Sequence, residues 1–487
     1  MVYEGSAGRY PLGMISLGLA SRPSSRLGQL TPLALATVAV GLVITLAPAR
    51  AFAFGEPITD VRILDNQRTE ESTVRSIAGI AVGDVLEADT LDTVRERLST
   101  TGLFADVNVW WEPNGAGVRV NISVKDKFPW APVPTASWSA NNKSLGLLFV
   151  HGNLFGRGKQ LAIGARLATV DSGATLAYRD PSLFGTWIYW QLQGIIQRQI
   201  IPEYQNYDSP TQPVALADPL ELRETHLFSY GFEGSVGIAW LRRVKTQVAW
   251  HLEKVSNEHS FDTTLPGVPQ VPPGTDTTQG GVVGIGRASL TFDFRAREFA
   301  VMHGTALAAA FDYASTGFGS DFKYWRAGAS WEHGIKLFKS HNFIYSLGAT
   351  AGHNLPFWSE NTAGGPNLRG YLYQQFRGDT QMGGKAEYHF PLFSIGSLDF
   401  RALGFYDVQA VWFREPTTFN GTNTRPTFDM RTFNPDADTG LSRQSVHSDV
   451  GGGLRFFLRS VAVPLVGVDV GYGIESQGVR YLIVIGA

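Results

Sequence analysis

An all-β transmembrane barrel of about sixteen strands, preceded by a small α+β module of order βααββ, is the fold class this chain predicts. Three observations carry the prediction. Stretches of about ten residues alternate apolar and polar positions with period two and are glycine-rich on the polar side. The connections between them alternate short and long, as tight turns on one rim and surface loops on the other require. Only 17% of the 487 residues are charged, below the ~25% of a soluble domain, yet past the N-terminus no run reaches the ~18 apolar residues of a spanning helix.

The first element is an export signal over residues 1–53. Arg22 and Arg26 precede an apolar run from Leu33 to Leu46, and Pro48-Ala49-Arg50-Ala51-Phe52-Ala53 supplies small residues for cleavage near residue 51 or 53. Met14 is a second candidate start. An uncleaved membrane anchor is the alternative, and the apolar run is short for one.

Residues 56–127 form the module. A strand over Ile58 to Leu64 leads to a helix from Glu70 with Val74, Ile77 and Ala78 on one face. A second helix carries Leu91, Val94, Arg95 and Leu98 at helical spacing and stops near Gly102, as a glycine C-cap predicts. Strands over Ala105 to Glu112 and Val118 to Lys125 close it, joined by the turn signal Pro113-Asn114-Gly115.

The barrel is expected over residues 133–487. Leu161, Ile163, Ala165 and Leu167 oppose Gln160, Gly164, Arg166 and Ala168; Val244, Val248, Trp250 and Leu252 oppose Lys245, Gln247, His251 and Glu253. Late in the chain, Val466, Val468, Val470, Tyr472 and Ile474 oppose Gly467, Asp469, Gly471, Gly473 and Glu475. Short turns are expected at 153–159, 180–185, 241–243 and 393–396, and long loops at 201–224, 257–280, 354–375 and 415–446. Counting hairpins from Pro134 to Ala487 gives about sixteen strands and places Arg369 in the sixth outer loop.

Composition excludes several functions. A net charge of -2 with no Lys/Arg cluster argues against a nucleic-acid partner. With no cysteine there are no disulfides, thiol nucleophiles or Cys-bound metals. Gly152 to Lys159 misplaces the second glycine of a phosphate loop and has Gln160 where Ser or Thr would hold magnesium. The glycines of 281–286 open a strand, whereas a dinucleotide site needs a helix N-terminus. His251 and His389 each stand alone on a polar strand face. Neither cofactor, metal nor catalytic residue is assigned, and an enzyme is not expected.

The stronger constellation is electrostatic. Leu398, Phe400, Ala402, Tyr406, Val408 and Trp412 share one strand face, which leaves Asp399, Arg401, Phe405, Asp407 and Gln409 on the luminal face if the first meets lipid. Asp407 then points inward one hairpin after the loop bearing Arg369, Gly370 and Tyr371. An arginine fork on a buried carboxylate is a directional, charge-assisted clamp.

These residues carry a family resemblance. Leu368-Arg369-Gly370-Tyr371 resembles the sixth-loop signature of the BamA/TamA superfamily (bacterial surface antigens), and Gly404-Phe405-Tyr406-Asp407 the strand motif whose aspartate pairs with that arginine. The turns from Asn153 to Gly158 and from Asp180 to Gly185, together with Asp293-Phe294-Arg295, are similar to further motifs of that superfamily. Gly102 to Val107 in the N-terminal module matches a POTRA domain. Three departures stand out. Gln409 replaces the glycine expected two residues after the aspartate, which would crowd the loop; Tyr481 to Ala487 lacks a terminal aromatic; and one POTRA-like unit is visible.

The resemblance implies a Gram-negative outer-membrane protein, POTRA in the periplasm, that inserts other barrels or translocates polypeptides. Its implied partners are unfolded outer-membrane or secreted polypeptide clients, outer-membrane lipids, and periplasmic chaperones or accessory lipoproteins. Client strands would pair with the POTRA edge and at the barrel seam. The alternatives are a two-partner-secretion transporter, or a passive porin or structural surface protein.

Overall fold

A computed structural model describes residues 55–207, 215–241, 243–262, 280–414, 445–458 and 461–486. The export signal and most of the stretch 415–446 lie outside the described residues. The chain divides into two compact units near Asp126.

The first unit has the expected order. Strand β1 (Ile58–Leu64) is followed by helices α1 (Glu71–Ala78) and α2 (Thr90–Ser99), then β2 (Phe104–Asn114) and β3 (Gly117–Asp126). The sheet order is β1-β3-β2, with β1 parallel and β2 antiparallel to the central β3. Centrality explains the β3 sequence, since Val118, Val120, Ile122 and Val124 are all fully buried. Val74 and Ala78 of α1 and Val94 and Leu98 of α2 bury the i, i+4 face against them. Gly115 turns the hairpin at φ +62, a left-handed conformation that favours glycine.

The second unit is a closed barrel. Its sixteen strands are β4 (Trp130–Ser139), β5 (Lys143–Leu154), β6 (Lys159–Ala168), β7 (Asp171–Asp180), β8 (Ile188–Tyr207), β9 (Ala215–Leu241), β10 (Val244–Asp262) and β11 (Gly281–Asp293), then β12 (Val301–Ala314), β13 (Tyr324–Leu337), β14 (His341–His353), β15 (Thr380–Ile395), β16 (Leu398–Trp412), β17 (Val446–Leu458), β18 (Val461–Gly473) and β19 (Val479–Ile485). All neighbours are antiparallel, and β19 closes on β4. In hydrocarbon each unpaired backbone group costs several kcal/mol, so strands cross a membrane only when closed into such a ring. No helix among the described residues is long and apolar enough to cross a membrane.

The outer face is apolar: Leu147, Leu167, Leu176, Val236, Val248, Leu347, Val450 and Val470 all stand exposed there. Between them the alternate residues turn into the lumen, and along β16 these are Asp399, Arg401, Leu403, Phe405, Asp407 and Gln409, all buried.

Two loop expectations need correction. The stretch 201–224 is mostly strand, because β8 continues to Tyr207 and β9 starts at Ala215; likewise β10 continues to Asp262. The turn at 393–396 is also tighter than expected, with pairing continuing to Ile395–Leu398. The cause is physical. In the β8 extension Ile201, Pro202, Glu203 and Tyr204 are buried in succession, on both faces, so the period-two pattern fades although backbone pairing continues.

Candidate functional site

The sixth outer loop lies between β14 and β15, and its middle is a compact knot. A short two-stranded pairing, Asn361–Ala363 with Phe376–Gly378, closes its base. Within it, Leu368 N donates to Gly365 O (3.1 Å) and Tyr371 N to Leu368 O (3.2 Å), folding 365–371 into successive turns. Leu368, Tyr371 and Phe376 are buried against Val411 of β16, and Phe376 stacks on His447 at 3.6 Å between centroids.

This knot thrusts Arg369 into the lumen. Its Nε donates to Asp407 Oδ2 at 2.7 Å and its Nη2 to Asp407 Oδ1 at 2.8 Å, a bidentate fork. Nη1 lies 2.7 Å from Glu387 and 3.3 Å from Asp469. The guanidinium also rests on the Phe405 ring, Cζ 3.5 Å from the centroid. The side chains of Arg369 and Asp407 are 4% and 0% exposed, so the pair is shielded from screening.

Gly370 and Tyr371 complete the contact. Gly370 N donates to Asp449 Oδ2 at 2.7 Å, and Asp449 is the register partner of Asp407 on the neighbouring strand. A Cβ on Gly370 would sit 2.5 Å from Gly473 N, and one on Gly471 would sit 2.8 Å from Arg369 C. The loop and β18 therefore meet backbone to backbone. Tyr371 Oη donates to Glu475 Oε2 at 2.5 Å. Burial alone would raise Glu475, but the bonds from Tyr371 and Ser448 hold its carboxyl below the ordinary range. Lys385 Nζ, donating to Pro366 O at 2.6 Å, tethers the loop from β15.

Gln409 does not crowd the loop. Its Nε2 donates to Asn367 O (3.3 Å) and its Oε1 accepts from Gln381 (3.1 Å). Its space comes from its register partner Gly383, where a Cβ would stand 2.2 Å from Gln409 Oε1.

Sequence reasoning brought Arg369 and Asp407 to one place, did not name Glu387 or Asp449, and put Asp469 and Glu475 on a polar strand face without assigning them to the site. One signal was present. The luminal face of β18 and its following turn reads Gly467, Asp469, Gly471, Gly473, Glu475, which is the floor on which the loop lands. No group of His, Asp and Glu among the described residues is arranged to hold a metal ion.

A closed sixteen-strand barrel with an arginine loop anchored in its lumen, joined to a βααββ module, defines an outer-membrane β-barrel of the POTRA-bearing class. Residues 153–474 match the Omp85 superfamily domain, and residues 57–127 match the POTRA model described as surface antigen variable number repeat. The chain belongs to the Omp85 superfamily.

A stretch of 59 residues is 34% identical to the outer membrane protein assembly factor BamA of Neorickettsia risticii (strain Illinois), covering 12% of this chain and 8% of that protein. Among solved structures, BamA from Haemophilus ducreyi lacking POTRA domains 1–3 is similar with a TM-score of 0.60 at 14% identity, over 88% of this chain and 84% of that one. CdiB from Acinetobacter baumannii is similar with a TM-score of 0.57 at 12% identity, over 88% and 74%. At these identities the likeness is one of fold. A barrel of this family implies a Gram-negative outer membrane.

Proposed function

We propose that this protein inserts polypeptide clients into the outer membrane by offering backbone edges for pairing, with Arg369, Gly370 and Tyr371 anchored on Asp407 and its neighbours as the lock that holds the working state. The closing seam carries this reading. Strands β19 and β4 pair only at Leu482–Ser139, Ile483–Trp138, Val484–Ser137 and Ile485–Ala136, whereas β13 and β14 pair along their whole lengths, from Trp325–His353 to Leu337–His341. A short seam costs least to open, and an opened edge is a template for an incoming strand. In the POTRA unit β1 and β2 are the edge strands, which supports a first, sequence-tolerant contact with an unfolded client.

The test uses the absence of cysteine from the chain. The pair Ser137→Cys/Val484→Cys, at register partners, ties the seam when oxidised. Client insertion that stops on oxidation and returns on reduction is the expected result. Insertion indifferent to oxidation overturns the reading, and secretion of a soluble polypeptide through the tied barrel would favour the transport alternative. Photo-crosslinkers along β2 are expected to capture unfolded outer-membrane proteins, and steady ion conductance without any captured client would favour a porin.

A further inference from the structure

We infer that the sixth loop is a strap across the seam, and that Asn141 is the residue that fastens its far side, at Tyr373. The middle of the loop is held on β16, β17 and β18 by Arg369, Gly370 and Tyr371, on one side of β19. Two residues further on, the same knot reaches the opposite side. Tyr373 N donates to Asn141 Oδ1 at 2.9 Å, and Asn141 Nδ2 donates back to Tyr373 O at 3.0 Å. Asn141 sits in the turn between β4 and β5, two residues beyond Ser139, where the seam pairing ends. The loop therefore joins the strand that precedes β19 to the hairpin with which β19 pairs.

The fastening is built for position. A side-chain amide has one acceptor and a two-proton donor, and here they grip both backbone groups of one residue, a reciprocal pair that mimics a sheet ladder. The second amide proton meets Tyr204 Oη at 3.0 Å, so β8 orients the amide. Tyr373 Oη donates to Asp171 Oδ2 at 3.3 Å, a further hold on the same wall. The hairpin turn does not itself need this side chain, because Ser139 N and Oγ both bond Asn142 O, at 2.9 and 3.0 Å. The seam's own pairing is short, so a strap fastened on both flanks opposes the separation of β19 from β4 at little cost in buried area. Arg480 of β19, 2.6 Å from the exposed Asp218 of β9, adds a second tie to the seam strand. Asn141 is thus a positioning residue acting through the loop.

This inference deepens the proposed function and rests on it for its use, but its test is separate. In lipid nanodiscs, hydrogen–deuterium exchange of segment 482–485 reads seam opening directly. Losing the two reciprocal hydrogen bonds in Asn141→Ala is expected to speed exchange there about tenfold, with no change in segment 325–337 on the far wall. Asn141→Asp keeps the acceptor for Tyr373 N–H and loses the donor, and is expected to restore part of the protection, an increase of about threefold over the parent. Exchange at 482–485 equal to the parent in a folded Asn141 variant overturns the strap, and the aspartate variant decides the matter if the alanine variant does not fold. If the oxidised Ser137→Cys/Val484→Cys barrel still inserts clients, the functional reading fails while the exchange result continues to judge the strap.

Discussion

Arg369 lies on the Phe405 ring, with Cζ 3.5 Å from the ring centroid, while its fork holds Asp407 two residues further along the same strand. One strand thus supplies both a flat apolar bed and the carboxylate, and alternation puts both on the luminal face. The geometry needs a planar, delocalised cation.

Arg369→Lys therefore is not a conservative change here. The lysine variant is expected to keep a single ion contact and to lose the fork and the stacking. Arg369→Ala leaves Asp407 buried without its partner, a loss of about 3–5 kcal/mol against the anchored loop. Limited proteolysis should cleave the sixth loop faster in the order Ala, Lys, parent, while gel mobility before and after heating shows the barrel still folded. Client insertion is expected to fall in the same order.

Gly370→Ala tests the backbone contact without touching a charge. Its Cβ would stand 2.5 Å from Gly473 N and 2.8 Å from Asp449 Cβ. Overpacking of this kind costs about 1–3 kcal/mol. The expected outcome is a loop that detaches although Arg369 and Asp407 are both intact, read again by proteolysis. An unchanged cleavage rate would show that β18 yields to the extra methyl.

Gly383 and Gln409 are expected to be coupled. Gly383→Ala alone meets Gln409 Oε1 at 2.2 Å and Val408 O at 2.5 Å. Adding Gln409→Gly removes the first clash and leaves the second, so the double variant regains only part of the lost stability. A double-mutant cycle on thermal unfolding should give an interaction of about 0.5–3 kcal/mol. Additive effects would mean that Gln409 simply swings aside.

The Tyr371–Glu475 bond predicts an acid-sensitive loop. Glu475 is held below its ordinary value in the folded protein by its hydrogen bonds. Its contribution is therefore complete above the unfolded pKa of about 4.3 and is lost as pH falls through the lower folded value. Loop cleavage by an acid-tolerant protease should rise below that pH in the parent. In Tyr371→Phe, which lacks the donor, cleavage should be higher at neutral pH and rise less on acidification.

Much of this was readable before any fold. The helices of the POTRA unit followed from Val74 and Ala78, and from Val94 and Leu98, at helical spacing, and the inward direction of Asp407 followed from the phase of Leu398 to Trp412. Gln409 shows the limit. Its departure from the family glycine suggested crowding, but the space that receives it belongs to Gly383 on another strand. The strand extensions in β8, β9 and β10 were hidden because burial there does not follow a period of two: Ile201 to Tyr204 are buried in succession.

Period-two alternation, together with the alternating short and long connections and the low charge, pointed to the barrel class, and its phase gave the inward turn of Asp407, because successive side chains in a strand must point to opposite sides. The tertiary structure alone decided which carboxylates share Arg369, where the ring closes and which turn Tyr373 reaches. Those are non-local facts. Asp469 lies 100 residues from Arg369, and Asn141 lies 232 residues from Tyr373. Such pairs are set by inter-strand register and closure, which no local pattern encodes.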